Sequence, residues 1–176
     1  MTGHSRDARS DLDLIDAANR GEEGALETLY ERYRDWVAAT AYRITRSQDD
    51  ALDVVQDVFL YFFKKFPGFE LTAQLKTFLY RAVRNTALEK LRKGRRTVPL
   101  SPDAPEPAAP PAGAPPGSLP EAVQRLDEGE REIVTLRFGE DMSLKEIASA
   151  LDIPLGTVKS RLHKALARLG EIMGKT

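Results

Sequence analysis

The sequence predicts an all-α protein with two small helical domains, a helical bundle and a helix-turn-helix domain, joined by a Pro/Ala-rich flexible linker. Apolar residues recur at helical spacing in both halves of the chain, and no segment alternates apolar and polar residues as a half-buried strand does. Residues 97–118 hold eight of the eleven prolines and almost no large apolar side chain. Such a segment cannot bury a core and is typical of an interdomain tether.

The domain boundaries follow from these patterns. We expect a polar N-terminal tail at residues 1–12, a first domain at 13–96, the linker at 97–118 and a second domain at 119–172. In the first domain the apolar spacing predicts four helices, at residues 12–20, 24–44, 49–66 and 74–93. Ser47 is the expected N-cap of the third helix, and Pro67-Gly68 is expected to end it.

The second domain is predicted to be a helical pair, at residues 119–126 and 128–138, followed by a helix-turn-helix. Ser143 and Glu146 match the capping box that begins a short helix, and Asp152-Ile153-Pro154 form a tight turn. A longer helix follows at residues 157–169. Five of its apolar residues are expected to face the core: Val158, Leu162, Ala165, Leu166 and Leu169.

The composition argues against several classes of function. The 176 residues include no cysteine and only two histidines, His4 and His163, which excludes disulfides and argues against a zinc site. The N-terminus lacks an apolar stretch, and no run of about 18 apolar residues occurs, so we expect a cytoplasmic protein. No phosphate-binding loop or nucleophile triad is present, and we expect no cofactor, no metal and no enzymatic activity.

The net charge of −1 hides a strong asymmetry along the chain. Residues 76–96 hold eight Lys or Arg and a single acid, Glu89, while residues 157–169 hold four cations and no acid. One basic run alone would be an ordinary solvated helix face. Clustered positive charge on two separate helices indicates a phosphate-bearing partner.

The second helix of a helix-turn-helix enters the major groove of DNA with its early outward positions. Thr157 and Arg161 are placed to contact phosphates, while four other residues can meet base edges: Lys159, Ser160, His163 and Lys164. The alternative is an ordinary helical hairpin, or one that contacts only protein. No nucleophile or metal partner accompanies His163, so groove contact or solvent exposure is favoured over catalysis.

The helix predicted at residues 74–93 combines cations with an amide and aromatic rings. The cations suit a nucleic-acid backbone, Asn85 suits a base edge, and the rings of Phe78 and Tyr80 suit stacking on unpaired bases. Aromatic residues at helical spacing more often pack in a core, so stacking and core packing both stay open for the two rings.

Four aspartates mark the helix predicted at residues 49–66: Asp49, Asp50, Asp53 and Asp57. Asp53 and Asp57 stand one turn apart, a spacing that can share a divalent metal in nucleases. No further carboxylate or histidine stands at an obvious ligand spacing. A solvated acidic face, or one that docks on a protein, is the favoured interpretation.

Three segments together resemble the extracytoplasmic-function (ECF, group IV) class of bacterial sigma factors. Residues 49–60 (DDALDVVQDVFL) are similar to the helix by which that family grips the clamp helices of the polymerase's large subunit. Residues 78–92 (FLYRAVRNTALEKLR) are similar to the helix that opens and reads the −10 promoter element. Residues 144–169 resemble the helix-turn-helix that reads the −35 element.

The resemblance implies a transcription initiation factor that binds promoter DNA and core RNA polymerase, through the polymerase's clamp helices and flap, and that an anti-sigma factor holds inactive. It assigns the −35 element to the six helix-turn-helix residues given above. It assigns polymerase docking to Asp53, Gln56, Asp57 and Phe59. It assigns the −10 element to Lys76, Phe78, Arg81, Arg84, Asn85 and Arg92, with the loop at residues 67–76 holding a flipped base.

The sequence departs from that family in three respects. The family often has tryptophan at the position of Phe78 and usually aspartate at the position of Glu89. The loop before Lys76 also matches weakly, which leaves the −10 base preference open. Two other classes of protein also stay open. A plain helix-turn-helix regulator leaves the acidic helix and the first basic helix without a role, and a nuclease using Asp53 and Asp57 would be inhibited by a chelator.

Overall fold

The computed structural model describes the backbone of residues 8–97 and 118–174, and the side chains of residues 8–94 and 118–174. The chain divides into two compact units, unit 1 (residues 1–99) and unit 2 (residues 100–176). Every regular element in the described ranges is a helix, which confirms the all-α prediction. The predicted linker, apart from its end residues Thr97 and Ser118, lies outside the described residues.

Within residues 8–97, unit 1 contains four helices: α1 (Asp11–Asn19), α2 (Ala25–Thr45), α3 (Gln48–Phe63) and α4 (Leu75–Thr97). α1 begins at Asp11, one residue before the predicted start of the first helix. Ser10 Oγ accepts a hydrogen bond from the N–H of Asp13 at 3.2 Å, and the Asp13 carboxylate accepts one from the N–H of Ser10 at 3.1 Å. This capping box satisfies free amides of the first turn.

Ser47 caps α3 as predicted, because its side chain accepts a hydrogen bond from the N–H of Asp50. The helix ends at Phe63, earlier than the predicted residue 66. The N–H groups of Lys65 and Phe66 bond to carbonyls three residues back, at 3.0 and 3.1 Å, so the chain tightens and leaves the helix before it reaches Pro67.

The core of unit 1 lies between α2, α3 and α4, and α1 packs against α2. Phe62 is fully buried at its centre. The Phe62 ring lies 5.3, 5.4 and 5.8 Å, centroid to centroid, from the rings of Phe66, Phe69 and Phe78. Such aromatic pairs add about 0.5–1.5 kcal/mol each beyond the burial of their area. The same cluster therefore ties the α3–α4 loop to both of its flanking helices.

Unit 2 contains α5 (Leu119–Gln124), α6 (Glu128–Val134), a π-helical turn (Thr135–Gly139), α7 (Leu144–Leu151) and α8 (Leu155–Met173). The helix predicted at residues 128–138 therefore widens into the π turn after Val134. The predicted capping box is present at the start of α7 between Ser143 and Glu146. Asp152 ends α7 in the left-handed conformation, with φ 56°, and α8 begins directly after Pro154, whose fixed φ suits a helix start.

Most of the α8 residues that were predicted to face the core do so. Val158, Ala165 and Leu169 are buried, and Leu162 is half-buried. The prediction is wrong for Leu166, which is exposed. At 3.6 residues per turn Leu166 lies about 80° from Val158 around the helix axis, beyond the edge of the buried stripe.

Arg131 links α6 to the end of α5. Its guanidinium donates hydrogen bonds to the carbonyls of Gln124 at 2.6 Å, Leu126 at 2.9 Å and Val123 at 3.4 Å. These carbonyls belong to the last turn of α5 and the bend after it, where backbone acceptors lack helical partners. None of the helices in the described ranges is both long and apolar enough to cross a membrane.

Candidate polymerase and promoter interfaces

The outward face of α3 combines acids with apolar side chains. Asp53, Gln56 and Asp57 are exposed, as a docking role requires. Leu52 and Leu60 are also exposed, by 58% and 48%, and with Gln56 they form one row at four-residue intervals. We call Leu52, Gln56 and Leu60 the docking stripe. The sequence analysis missed the two leucines, although they are apolar residues outside the buried periodicity of α3.

Phe59 does not belong to this surface. It is only 3% exposed, and its ring meets the ring of Tyr30 edge-on at 4.7 Å. The expectation that Phe59 contacts a partner directly is therefore corrected. Its large ring holds α3 against α2 and so positions the exposed residues around it.

The acidic face of α3 is tied to the basic helix α4. Lys90 Nζ donates a hydrogen bond to Asp53 Oδ2 at 2.6 Å. That hydrogen bond raises the pKa of Lys90, and the carboxylates of Asp50 and Asp57 act in the same direction. Lys90, one cation of the basic run, therefore links α4 to α3. In the described ranges, no three His, Asp or Glu side chains cluster as metal ligands would.

Three polar residues of α4 share one exposed side. Arg81, Asn85 and Arg92 are all exposed and lie within about 40° of one another around the helix axis. The other two predicted cations are elsewhere. Arg84 is half-buried, and Lys76 lies on the opposite side with its Nζ 5.4 Å from the ring centre of Trp36.

The aromatic residues of α4 pack inward. Tyr80 is buried, and the half-buried Phe78 contacts the rings of Phe62 and Phe69. Phe78 also stacks on Tyr61, with 6.2 Å between ring centres and 10° between planes. The core-packing alternative therefore holds for both rings. The exposed member of the stacked pair is Tyr61 on α3, which the sequence analysis did not single out.

The loop between α3 and α4 is held by a residue from α1. The side-chain oxygen of Asn19 accepts hydrogen bonds from the N–H groups of Gly68 at 2.7 Å and Phe69 at 3.1 Å, and its amide donates to the carbonyl of Phe69 at 2.9 Å. Gly68 takes φ 100°, a conformation that favours glycine. Asn19 is a positioning residue of this loop, and no sequence motif marked it.

Beside this loop lies a cleft of about 530 Å³. Its walls come from the start of α1, from Tyr33 of α2, and from residues 71–76. The Asp11 carboxylate accepts hydrogen bonds from the Tyr33 hydroxyl and, at 2.6 Å, from Arg32. Burial raises the pKa of Tyr33 and the hydrogen bond to Asp11 raises it further, so the phenol stays a donor. The cleft combines polar groups with apolar walls.

The outward face of α8 carries Lys159, Ser160 and His163, all exposed. Ser160 Oγ bonds to the carbonyl of Thr157 at 3.0 Å. Thr157 is half-buried in the first turn, where Pro154 provides no side-chain cap and backbone amides stay available to an anion.

Two other predicted DNA contacts lie on the flank of α8 that faces α6. Lys164 Nζ lies 3.4 Å from Glu130 Oε1. Arg161 lies over Gly129, where an added Cβ would come within 3.2 Å of Nη1. Both side chains remain exposed, so the contacts of Lys164 with base edges and of Arg161 with phosphates stay predictions.

Two family models match the chain, one in each unit. The model of the Sigma-70 region 2 family matches residues 29–97, and that of Sigma-70 region 4 matches residues 122–171. The chain is 31% identical over 173 residues to the ECF RNA polymerase sigma-E factor of Escherichia coli K12, covering 89% of this chain and 90% of that protein. It is 29% identical over 171 residues to the ECF RNA polymerase sigma factor SigM of Mycobacterium tuberculosis, covering 96% and 87%.

The fold has a solved relative in the sigma factor RpoE, crystallised with the anti-sigma factor NepR from Bartonella quintana. The TM-score is 0.67 at 26% identity, with 86% of this chain and 98% of that chain covered. The identity of 31% to the sigma-E factor, over 89% of this chain, shows the family. The chain belongs to the ECF family of RNA polymerase sigma factors and is a transcription initiation factor, not an enzyme.

Proposed function

We propose that unit 1 docks on core RNA polymerase and reads and melts the −10 element, while unit 2 reads the −35 element of the same promoter. One observation carries the proposal. The α3–α4 hairpin exposes two different surfaces, an apolar docking stripe on α3 and the cation–amide row of Arg81, Asn85 and Arg92 on α4. A helix-turn-helix regulator that works without polymerase has no use for either surface.

Docking proceeds through the docking stripe and the acids beside it. Protein interfaces place apolar groups at their centre and polar groups at their rim. Leu52 and Leu60 supply such a centre, and Asp53 and Asp57 supply an acidic rim that suits a basic helical partner. We propose the clamp helices of the polymerase's large subunit as that partner. The buried Phe59 acts by holding α3 in place.

The −10 element meets α4 and the cleft beside its first turn. Arg81 and Arg92 bind the backbone of the non-template strand, and Asn85 bonds to a base edge. A flipped base enters the cleft, where the Asp11 carboxylate accepts a hydrogen bond from an exocyclic amino group. Unstacking a base costs a few kcal/mol, which the cleft contacts and polymerase binding offset.

The −35 element meets the outward face of α8. Ser160 and His163 contact base edges, Lys159 contacts a base or phosphate, and the free amides at the start of α8 bind a phosphate. Each unit alone reads too few bases to find a promoter among competing genomic sites. Tethering both units on one polymerase, with unit 2 on the flap, multiplies their modest affinities through effective concentration.

Membership of the ECF family supports proposals for the domain roles, the cellular location and an inhibitor. Residues 13–96 and 119–172 act as the two functional domains, and residues 97–118 act as an extended tether between them. The chain acts in the cytoplasm as a group IV factor. Because the relative RpoE is bound by an anti-sigma factor, we propose that a similar inhibitor covers the docking stripe of this chain.

In vitro transcription with sigma-free core polymerase on a library of promoter-length fragments tests the proposal. Specific transcripts should require the chain, and Leu52→Asp should abolish core binding, while Met173→Asp, the same change at another exposed apolar residue, should not. Asn85→Ala should retain core binding but lose open complexes. If the wild-type chain binds duplex DNA and yields no transcript with core polymerase, the regulator interpretation replaces this one. Chelator-sensitive DNA cleavage would instead indicate a nuclease.

A further inference from the structure

A buried carboxylate lies between the first turn of α6 and the recognition helix α8. Glu130 is 2% exposed, although it is a charged residue on a small unit. Its Oε2 accepts a hydrogen bond from Arg168 Nη1 at 2.8 Å, and its Oε1 lies 3.4 Å from Lys164 Nζ. Asp127, the N-cap of α6, lies 3.4 Å from the same Arg168 nitrogen. Burying a carboxylate is costly unless cations accompany it, so Glu130 attracts Lys164 and Arg168, whose side chains stay 65% and 46% exposed.

The three cations on this flank of α8 all lean toward α6. Arg161, Lys164 and Arg168 follow one another at intervals of three and four residues, which places them on one side of the helix. The Arg161 guanidinium lies over Gly129, next to Glu130. Lys159 lies at the other edge of the outward face, and Ser160 and His163 lie between the two edges.

We infer that Glu130 is a positioning residue that sets the sequence specificity of unit 2, by holding Lys164 and Arg168 against α6 and away from the DNA backbone. The inference rests on the proposed −35 recognition by α8. Cation–phosphate contacts add affinity for every sequence alike, whereas base-edge contacts distinguish sequences. Restraining two cations therefore lowers binding to all DNA and leaves discrimination to Ser160 and His163.

The number of bound phosphates is measurable. The logarithm of the binding constant falls with the logarithm of the salt concentration, with a slope of about −0.9 per neutralised phosphate of duplex DNA. If Glu130 restrains two cations, the isosteric neutral variant Glu130→Gln should steepen this slope by about 1 to 2. Its affinity for mixed-sequence DNA should rise about tenfold or more at low salt, so the ratio of promoter to mixed-sequence binding should fall.

The test uses holoenzymes reconstituted from core polymerase and each full-length variant, bound to a −35-element duplex and to a mixed-sequence duplex of equal length. Comparing variants cancels the contribution of core polymerase. Glu128→Gln is the matched control, because it removes the same charge from an exposed residue of the same helical turn. Glu130→Gln should steepen the slope and Glu128→Gln should not. The double variant Glu130→Gln with Lys164→Gln should lose about half of the increase in salt slope that Glu130→Gln gives. Equal slopes for the two single variants overturn the inference.

A second measurement does not depend on the folding of the Glu130 variant. In the otherwise wild-type chain, Lys159→Gln should reduce the slope by about 0.9, and Lys164→Gln should reduce it by less than half as much. Equal reductions overturn the inference, since Lys164 would then contact phosphate as freely as Lys159. A wild-type holoenzyme that does not distinguish the −35 duplex from the mixed one contradicts the proposed function instead, which keeps the two failures separate.

Discussion

The two units hold their functional helices in place by different means. Unit 1 surrounds Phe62 with aromatic rings that reach from α3 to α4 and to the loop between them. Unit 2 has a single Phe and no Tyr or Trp in its described range, and that Phe138 is exposed. Its core is aliphatic, and the buried Glu130 and the Arg131 guanidinium add polar links between its helices.

The difference follows from size and teaches what to expect of each site. A small unit buries a smaller fraction of its surface, so apolar packing alone leaves its helices less firmly oriented. Contacts of charged side chains, and hydrogen bonds to backbone carbonyls, make up part of this missing apolar packing. They depend more on hydrogen-bond geometry than on side-chain volume. Unit 1 should therefore be most sensitive to loss of ring volume, and unit 2 to loss of hydrogen-bond geometry.

The largest effect is expected for Phe62→Ala in unit 1. Removing a fully buried ring from the centre of the cluster should reduce the free energy of unfolding of unit 1 by about 3–5 kcal/mol. Hydrogen exchange of α3 and α4 amides, followed by mass spectrometry, measures the loss. Tyr42→Ala removes an exposed ring from the same unit and should cost less than about 1 kcal/mol. Equal losses would contradict a core centred on Phe62.

In unit 2 the corresponding variant is Arg131→Lys, which keeps the charge and loses the planar fork. A lysine cannot reach three carbonyls at once, so unit 2 should lose about 1–3 kcal/mol of stability. Arg125→Lys is the matched control, since Arg125 is exposed and pairs with Glu121 one turn away. It should cost less than about 0.5 kcal/mol. Urea unfolding, followed by hydrogen exchange of α5 and α8 amides, measures the loss of stability in both variants. If Arg131→Lys leaves the stability of unit 2 unchanged, the comparison between the two units loses its basis.

A smaller effect on stability, with a larger one on function, is expected for Asn19→Ala. The variant loses three hydrogen bonds to Gly68 and Phe69. Since Gly68 is exposed and water replaces part of the loss, the loop should be destabilised by about 1–2 kcal/mol. Permanganate reactivity of the melted −10 region should fall. Asn19→Asp keeps the acceptor and should lie between Ala and wild type, whereas equal defects in both variants would point to a role other than holding the loop.

The smallest effect concerns a device that the two units share. Capping boxes begin both α1, through Ser10, and α7, through Ser143, so Ser10→Ala and Ser143→Ala should each cost about 1 kcal/mol locally. Ser149→Ala, an exposed serine within α7, is the neutral control. Exchange rates of the first-turn amides measure both losses. Unequal losses would show that the capping boxes contribute to the different stabilisation of the two units.

The α1 cap should also depend on pH. Hydrogen bonds from Ser10 lower the pKa of Asp13 below its ordinary value. A carboxylate with a lowered folded-state pKa stabilises the fold above its unfolded pKa, and that contribution is lost as the pH falls through the folded value. Relative to Ser10→Ala, the first-turn amides of wild-type α1 should therefore exchange more slowly at neutral pH than in acid, because acid removes the side-chain bond that the variant already lacks.

The sequence by itself determined the helical fold class, the helix-turn-helix and the approximate positions of the helices. Periodic apolar residues and capping motifs such as Ser143 with Glu146 act within a few residues, so they can be recognised along the chain. The exposed Asn85 and Ser160 were also predicted, because their surroundings on one helix suffice to turn them outward. The helix ends were less accurate, as at Phe63, since turns after a helix depend on what the loop packs against.

Only the tertiary structure decided which members of each motif face a partner. The motif at residues 49–60 did not separate the buried Phe59 from the exposed Leu52 and Leu60. It also could not pair Lys164 with Glu130, 34 residues away, or Asn19 with Phe69, 50 residues away. Such pairs form when helices distant in sequence pack together, and no local periodicity encodes their geometry. For this reason the chemistry of each helix was predictable, and the orientation of its charged side chains was not.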